Sequence, residues 1–578
     1  MTFKKQSSMT QNLTKMLSLM KEHSGTLGIQ MINVHEEELK SQKWLQYFPF
    51  AKPRFEQIVT INNIIDTFES GKKFFIAECG TGVGKSAIAV TVSRYVTAHI
   101  APAQDIQLGA TVLTTQKLLQ DQYEKDFQTN AMCSLKSASN YSCKHHKKNS
   151  CAESKPLLAN EPKGTKFWNT CVLNCTYKQQ KDLFVNGTLG VTNFSYFLHE
   201  TKFSGKIPRK QLLVVDEAHN LPEELSKFIE VTFSEKFAKE FLDKQLPEGL
   251  TPKKFAEWVR GDYYPELLAK KTAFENGMKK YAGLAEKLQS GELAKLARKL
   301  DLLSSHESKV SIFLRIWDND NWLMEEIAAD EKSGRKIQFK PIDVAPYAFD
   351  HIHKYGQFVL FMSATILDTN GFRLLCGIDE SQAGESIIPS PFPHENHPII
   401  YAGVGSMGSS DIESTLPKLT EVVKEILKEH KNEKGIIHCS SFKIAWHLKK
   451  NIKSNRLLIH DSFDRDVILN KHITSKEPTV LLSPSMTEGV DLKGDLSRFQ
   501  VICKIPFPYL GSKLVRKKMN KWDWWYDLQT AKTLIQSVGR SVRNENDKAV
   551  TYILDSIWER FYGKNNKLFP ENFRKSVQ

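Results

Sequence analysis

The run KKFFIAECGTGVGKSAIAVTV, residues 72–92, constrains the fold more than any other stretch of this chain. A short apolar run that breaks into alternating glycines and resumes as an apolar helical pattern predicts strand, tight turn and helix. Gly80, Gly82 and Gly84, with Thr81 between the first two, let the backbone turn sharply and aim several N–H groups inward, and the dipole of the following helix adds positive potential at its start. Lys85 can then reach the β- and γ-phosphates of a nucleotide, and the Ser86 hydroxyl can ligate Mg²⁺. The strict spacing asks for glycine at position 79, where this chain has Cys79.

A second segment completes such a site. In LLVVDEAH, residues 212–219, four apolar residues end in two adjacent carboxylates, which are costly at the end of a buried strand unless something neutralises them. Asp216 is expected to hold the Mg²⁺ through its water shell, and Glu217 to orient and deprotonate an attacking water. Phosphoryl transfer also calls for cations against the developing charge. QSVGRSVRNENDKAV supplies Arg540 and Arg543, which at i and i+3 would share one helix face, with Gln536 one turn earlier.

Around these segments the chain divides. Its 578 residues exceed what one core usually supports, so three or four domains are expected. Residues 1–45 read as a polar accessory segment. From 46 to 394, alternating strand and helix patterns predict a parallel α/β domain with two inserts: a cysteine segment at 130–180 and a helical domain at 222–338. Residues 395–578 read as a second α/β domain. No apolar run approaches the roughly 18 to 20 residues of a membrane span, and the N-terminus lacks a secretory signal, so a reducing, cytoplasmic setting is expected, or a nuclear one in a eukaryote. A formal net charge of +14 favours a polyanionic partner.

Taken in order, these segments resemble the XPD/DinG family of superfamily 2 DNA helicases over about residues 47 to 560. PRFEQ is similar to the motif ahead of the phosphate loop, with Arg54 and Gln57 in the matching places, and TVLTTQKLLQDQ resembles motif Ia. DEAH, SATI, PSPFP, MTEGVDLKG and QSVGRSVR resemble the later signatures. The resemblance implies two RecA-like motor domains with ATP in the cleft between them, Lys85, Asp216 and Glu217 on one wall and Arg540 and Arg543 on the other. Arg54, Gln57, Gly489 and Asp491 would join the nucleotide site. It also implies 5′ to 3′ movement on single-stranded DNA, an iron–sulfur domain and an arch domain as the two inserts, and DNA phosphate contacts from Thr114, Thr115 and Gln116. Cys79 departs from the family's usual Ala or Pro, and the arginine expected just after Asp555 is missing.

Five of the nine cysteines fall between 133 and 175, a clustering that suits metal rather than disulfides in a reducing compartment. LKSASNYSC resembles the family's approach to its first cluster ligand, which brackets Cys143, Cys151, Cys171 and Cys175 and leaves Cys133 outside. Four thiolates can hold a [4Fe-4S] cluster or a zinc ion, and spacing does not separate the two; the resemblance favours the cluster. Eight lysines against two acids between 133 and 178 make this segment basic and hard to fold without a metal staple. Lys144, Lys147 and Lys148 read either as a solvated face or as contacts to DNA at a duplex junction. Tyr141, Phe194, Tyr196 and the WDWWY run at 522–526 read as core or as base-stacking platforms. The expected activity is an ATP-dependent helicase, active as a monomer on single-stranded or forked DNA. A translocase that does not separate strands and a DNA-binding protein with nuclease activity are the rivals.

Overall fold

The computed structural model describes residues 41–147, 149–158, 161–279, 290–330, 334–461, 463–484 and 492–578. Of the N-terminal segment read at 1–45, all but the last five residues lie outside this set. Trp44, which lies within it, is buried and donates its indole N–H to Asn62 at 2.6 Å.

β1 (Phe74–Cys79), β2 (Gln107–Thr114), β3 (Cys133–Leu135), β4 (Leu189–Asn193) and β5 (Lys210–Asp216) enter one sheet. The chain then leaves it through β6 (Val231–Ser234), β7 (Trp322–Asp330) and β8 (Gly334–Pro341), and returns as β9 (Gly356–Ser363) and β10 (Ala383–Ile388). The sheet has seven parallel strands in the order β10-β1-β9-β5-β2-β4-β3. Its central strands are buried on both faces. Phe74 and Ile76 with Leu213 and Val215 enter one core, while Phe75, Ala77 and Cys79 with Leu212 and Val214 enter the other. That two-residue alternation within continuous apolar runs is what a helix-covered parallel sheet requires.

A second parallel sheet follows, built from β11 (Ile399–Gly405), β12 (Gly435–His438), β13 (Leu457–Ile459), β14 (Val480–Ser483), β15 (Phe499–Ile502) and β16 (Val550–Asp555), in the order β11-β16-β15-β12-β14-β13. Two apolar clusters, one around Leu419 and Val501 and one around Leu534 and Trp558, cover its faces. The fold is therefore mixed α/β with two RecA-like sheets.

Both inserts interrupt the first sheet. The cysteine segment joins β3 to β4 through the helices Cys151–Leu158, Lys166–Leu173 and Thr176–Asn186. The segment read as helical at 222–338 is only partly so: beside helices such as Ser290–Ile316 it holds an antiparallel sheet, β6-β8-β7. Charges alternate with apolar residues in β8, where only Ile337, Phe339 and Pro341 are buried, so one face is solvated and the apolar signal is diluted. Phe233 fills the centre of this insert, edge-on to Phe255, Tyr263, His306, Phe313 and Phe339. Among the described residues no helix is long and apolar enough to cross a membrane.

Phe233 has no exposed surface. Phe233→Ala is expected to cost about 3–5 kcal/mol and to lower the midpoint of thermal unfolding, with Phe233→Leu intermediate; an unchanged midpoint would contradict this packing.

Candidate functional site

β1 and β5 both pair with β9, so three strand ends emerge side by side: Glu78 stands opposite Ser363, and Asp216 opposite Met362. The glycine loop, SATI and DEAH thus share one edge of the sheet, at the carboxyl ends of parallel strands where ligands bind in open α/β folds.

The loop needs its glycines. Gly82 and Gly84 have φ of +92° and +87°, and a Cβ at these positions would lie 2.2 Å from the Phe392 ring and 2.5 Å from Gln57 Nε2. Arg54 donates to the Gly82 carbonyl, Gln57 Nε2 to the Gly84 carbonyl at 3.4 Å, and Ser390 Oγ to the Thr81 carbonyl at 2.7 Å. Gln57 also accepts from the Arg54 N–H at 2.9 Å. Arg54 and Gln57 therefore brace the loop through its carbonyls. Cys79, the departure from the strict pattern, is a fully buried core residue whose thiol burial pushes up to about 11.

Asp216 is 4% exposed, and the buried Tyr123 hydroxyl donates to its Oδ2 at 2.9 Å. Ser86 lies near that same hydroxyl and favours its ionised form, so Tyr123 stands beside both residues expected at Mg²⁺. Nothing in QDQYEKD marks this role. Burial, then the charge of Glu217, pushes Asp216 up to about 6, against Lys85 and the Tyr123 bond. Burial also raises Glu217, but Lys85, with Arg540 and Arg543, outweighs it and holds the carboxyl below its ordinary value. Its side chain stays 28% exposed, so Glu217 rather than Asp216 can touch a water.

His219 ties the two sheets together. Its Nδ1 lies 2.8 Å from Ser363 Oγ and its Nε2 2.7 Å from the side-chain amide of Gln536, which also donates to Thr365 Oγ1 at 3.1 Å. Because the amide can only donate, Nε2 accepts and the proton sits on Nδ1. A neutral ring agrees with burial, which pushes His219 down to about 4. Gln536 stands on the helix Trp525–Val538 of the second sheet, so this is a contact between domains. Arg540 and Arg543 do not share a helix face as their spacing predicts. The helix ends at Val538 with Gly539 as its cap, and both arginines follow in the turn, where the Arg543 N–H bonds Asp547 at 3.0 Å. Gly489, Asp491 and Lys148 lie outside the described residues.

Cys143, Cys151, Cys171 and Cys175 line one cavity with Lys144, Ser154 and Tyr177, while Cys133 sits apart beside Gln180. Sγ of Cys151 and Sγ of Cys175 are 3.6 Å apart. Among the described residues no three ligating side chains close around a single ion. The chemistry of the thiols still suits a positively charged body. Burial raises Cys151 to about 12, and the neighbouring charges of Cys175, Cys143 and Cys171 add to the rise, repulsion that a metal would relieve. At Cys143 burial is outweighed by donors from His146, Ser154 and His145, which bring the thiol down to about 7.

Thr114 is fully buried and gives its hydroxyl to the Gln116 carbonyl at 3.3 Å, so it has no surface for a phosphate; Thr115 and Gln116 keep theirs. Lys144 and Lys147 are exposed. Of the aromatic candidates, Phe194 and Tyr196 are core, with Tyr196 bonded to the Tyr177 hydroxyl at 2.8 Å. Tyr141 packs tilted against the Tyr177 ring, Trp525 is buried, and Trp524 packs on Gly371 of the first domain.

Two RecA-like sheets facing each other across a glycine loop, an acidic pair and two arginines define a phosphate-loop motor. Comparison with known proteins agrees. Residues 423–576 match a helicase C-terminal domain family, and residues 50–244 match the res subunit of type III restriction enzymes. The chain is 23% identical to the ATP-dependent DNA helicase YoaA of Haemophilus influenzae, over 91% of this chain and 93% of that protein. It is 28% identical to DinG of Photobacterium profundum over 41% of this chain and 37% of that one. A solved XPD helicase superposes with a TM-score of 0.61 at 14% identity, covering 90% of this chain and 98% of that one. The matched domains, the YoaA and DinG relatives and the XPD-like fold together support an XPD/DinG-like superfamily 2 helicase family.

Tyr123→Phe removes the hydroxyl that bonds Asp216 beside Ser86. Mg²⁺-dependent nucleotide turnover is expected to fall about tenfold with the fold intact; undiminished turnover would show that the bond has no part in the site.

Proposed function

We propose that this protein is an ATP-dependent DNA helicase that moves along single-stranded DNA, with 5′ to 3′ polarity, and opens duplex at a junction. The observation that carries this reading is the shared cleft: cations of the second domain, Arg540 and Arg543, act on the Glu217 carboxylate of the first, while Gln536 bonds His219 and Thr365 across the same gap. A nucleotide whose site is built by two domains changes their separation when it is split, and so can move a polymer bound to both.

In this reading Lys85 and the N–H groups of Thr81, Gly82 and Gly84 cradle the phosphates, with Arg54 and Gln57 fixing the loop. Ser86 and Asp216 would hold Mg²⁺, which would neutralise charge on the phosphate oxygens. Glu217, the exposed member of the acidic pair, orients the water and takes its proton. Arg540 and Arg543 stabilise the charge that grows on the transferred phosphoryl group, and Gln536 reports closure to His219. Both domains lie in one chain, so a monomer suffices. Thr115 and Gln116 are assigned to the DNA backbone, as are Lys144 and Lys147 beside the cysteine segment. Like the net charge of +14, they supply affinity that ignores sequence and falls with salt.

Cys143, Cys151, Cys171 and Cys175 are assigned to an iron–sulfur cluster. Their convergence on one cavity supports a soft-metal centre, and the resemblance to the XPD/DinG family favours a cluster over one zinc ion. The cluster would supply folding free energy to a lysine-rich segment at the junction.

The decisive experiment pairs ATP hydrolysis with strand displacement on forked DNA. Lys85→Ala is expected to abolish both while leaving thermal unfolding unchanged; normal turnover in that variant would refute the site. DNA-stimulated hydrolysis by the wild type without strand displacement would instead establish the translocase. Cys143→Ser is expected to lose iron, read from the visible spectrum of anaerobically purified protein, together with strand displacement. Normal displacement without iron would remove the cluster from the mechanism.

A further inference from the structure

Glu78 is a buried carboxylate that the nucleotide site does not use. It is the penultimate residue of β1 and 5% exposed, on the face whose other members, Phe74 and Ile76, are core residues. A carboxylate in an apolar row is costly unless a donor meets it. The donor is the backbone N–H of Leu367, 2.9 Å from Glu78 Oε2. Burial still pushes the group up to about 7 against that bond.

Leu367 follows directly on the segment that carries Ser363 and Thr365. Ile366 is buried in the core of the first domain, whereas Leu367 packs against the second domain's cluster of Ile399, Ile502, Ile505 and Leu534. The chain thus passes from one domain's packing to the other's at the peptide that Glu78 holds. Leu367 has a φ of +66°, a left-handed conformation that a branched side chain adopts only when its surroundings impose it. At the other end of the same link, Gly80 lies two residues after Glu78 and opens the phosphate loop, its N–H bonded to the Ile388 carbonyl at 2.9 Å.

We propose that Glu78 is a positioning residue that couples the phosphate loop to the second motor domain through the Leu367 N–H. The proposal rests on the motor reading above and adds a route across the cleft separate from that of His219 and Gln536. A shift at the end of β1 moves the carboxylate, the carboxylate moves the Leu367 peptide, and the Leu367 side chain carries the movement into the core of its neighbour.

The test compares Glu78→Leu, Glu78→Gln and Leu367→Gly for binding of a fluorescent ATP analogue, ATP turnover with and without single-stranded DNA, and thermal unfolding. Glu78→Leu is expected to keep analogue affinity within about threefold and KM for ATP unchanged while DNA-stimulated kcat falls about tenfold. Glu78→Gln retains an acceptor oxygen and is expected to restore most of that loss. Leu367→Gly, which relaxes the backbone and empties the contact, is expected to reproduce it with the fold intact. Wild-type DNA stimulation in Glu78→Leu would overturn the proposal, as would a glutamine variant no better than leucine. Should Glu78→Leu fail to fold, Leu367→Gly decides: stimulation at the wild-type level overturns the coupling, and its loss upholds it. Wild-type protein without DNA-stimulated turnover would defeat the motor reading instead.

Discussion

Two adjacent carboxylates at the end of a buried strand cannot remain ionised without cations, and that requirement organises the molecule. Lys85, at the end of the glycine loop after β1, supplies one charge from within the first domain. The remaining positive charge comes from Arg540 and Arg543 in the second domain. Both domains therefore place cations beside the acidic pair, so the charges that a nucleotide would meet come from both sheets.

Other contacts fix the geometry of that approach. Lys521 pairs with Asp343 at 2.7 Å, Lys532 donates to the His219 carbonyl at 3.4 Å, and Trp524 covers Gly371. Most of these are polar, exposed at least in part, or made by single side chains. A joint of this kind can open and close at modest cost, unlike a continuous apolar interface. The two inserts depart from strand ends of the first sheet, and the second also reaches this joint, where Glu223 faces Lys518 and Lys532 of the second domain. The second builds an aromatic centre around Phe233, and the first relies on a small cluster of Leu157, Phe167 and Cys171 and on its thiols.

The parts legible in the sequence were those whose physics is local. A glycine turn between a strand and a helix, two acids closing an apolar strand, and the two-residue alternation of buried strands each fit within about ten residues, and both parallel sheets follow from them. The arginine pair was legible in identity but misread in shape, because Gly539 stops the helix one residue before Arg540. The sheet β6-β8-β7 was hidden by the charges on its open face. What could not be read were pairings between distant residues. Tyr123 meets Asp216 across 93 positions, Glu78 meets Leu367 across 289, and Gln536 meets His219 across 317. None of these has a local signature, since each depends on the strand order that brings β1, β9 and β5 together and on the docking of one sheet against the other. Thr114 failed as a phosphate contact for a related reason: the last residue of a central strand points into the core.

The central claim is that one nucleotide is held by both domains at once. A structure determined with a non-hydrolysable ATP analogue and Mg²⁺ tests it most directly. The account predicts the γ-phosphate between Lys85 on one side and Arg540 or Arg543 on the other, with Mg²⁺ near Ser86 and Asp216. An analogue bound against the glycine loop with both arginines turned away into a separate cavity would contradict it.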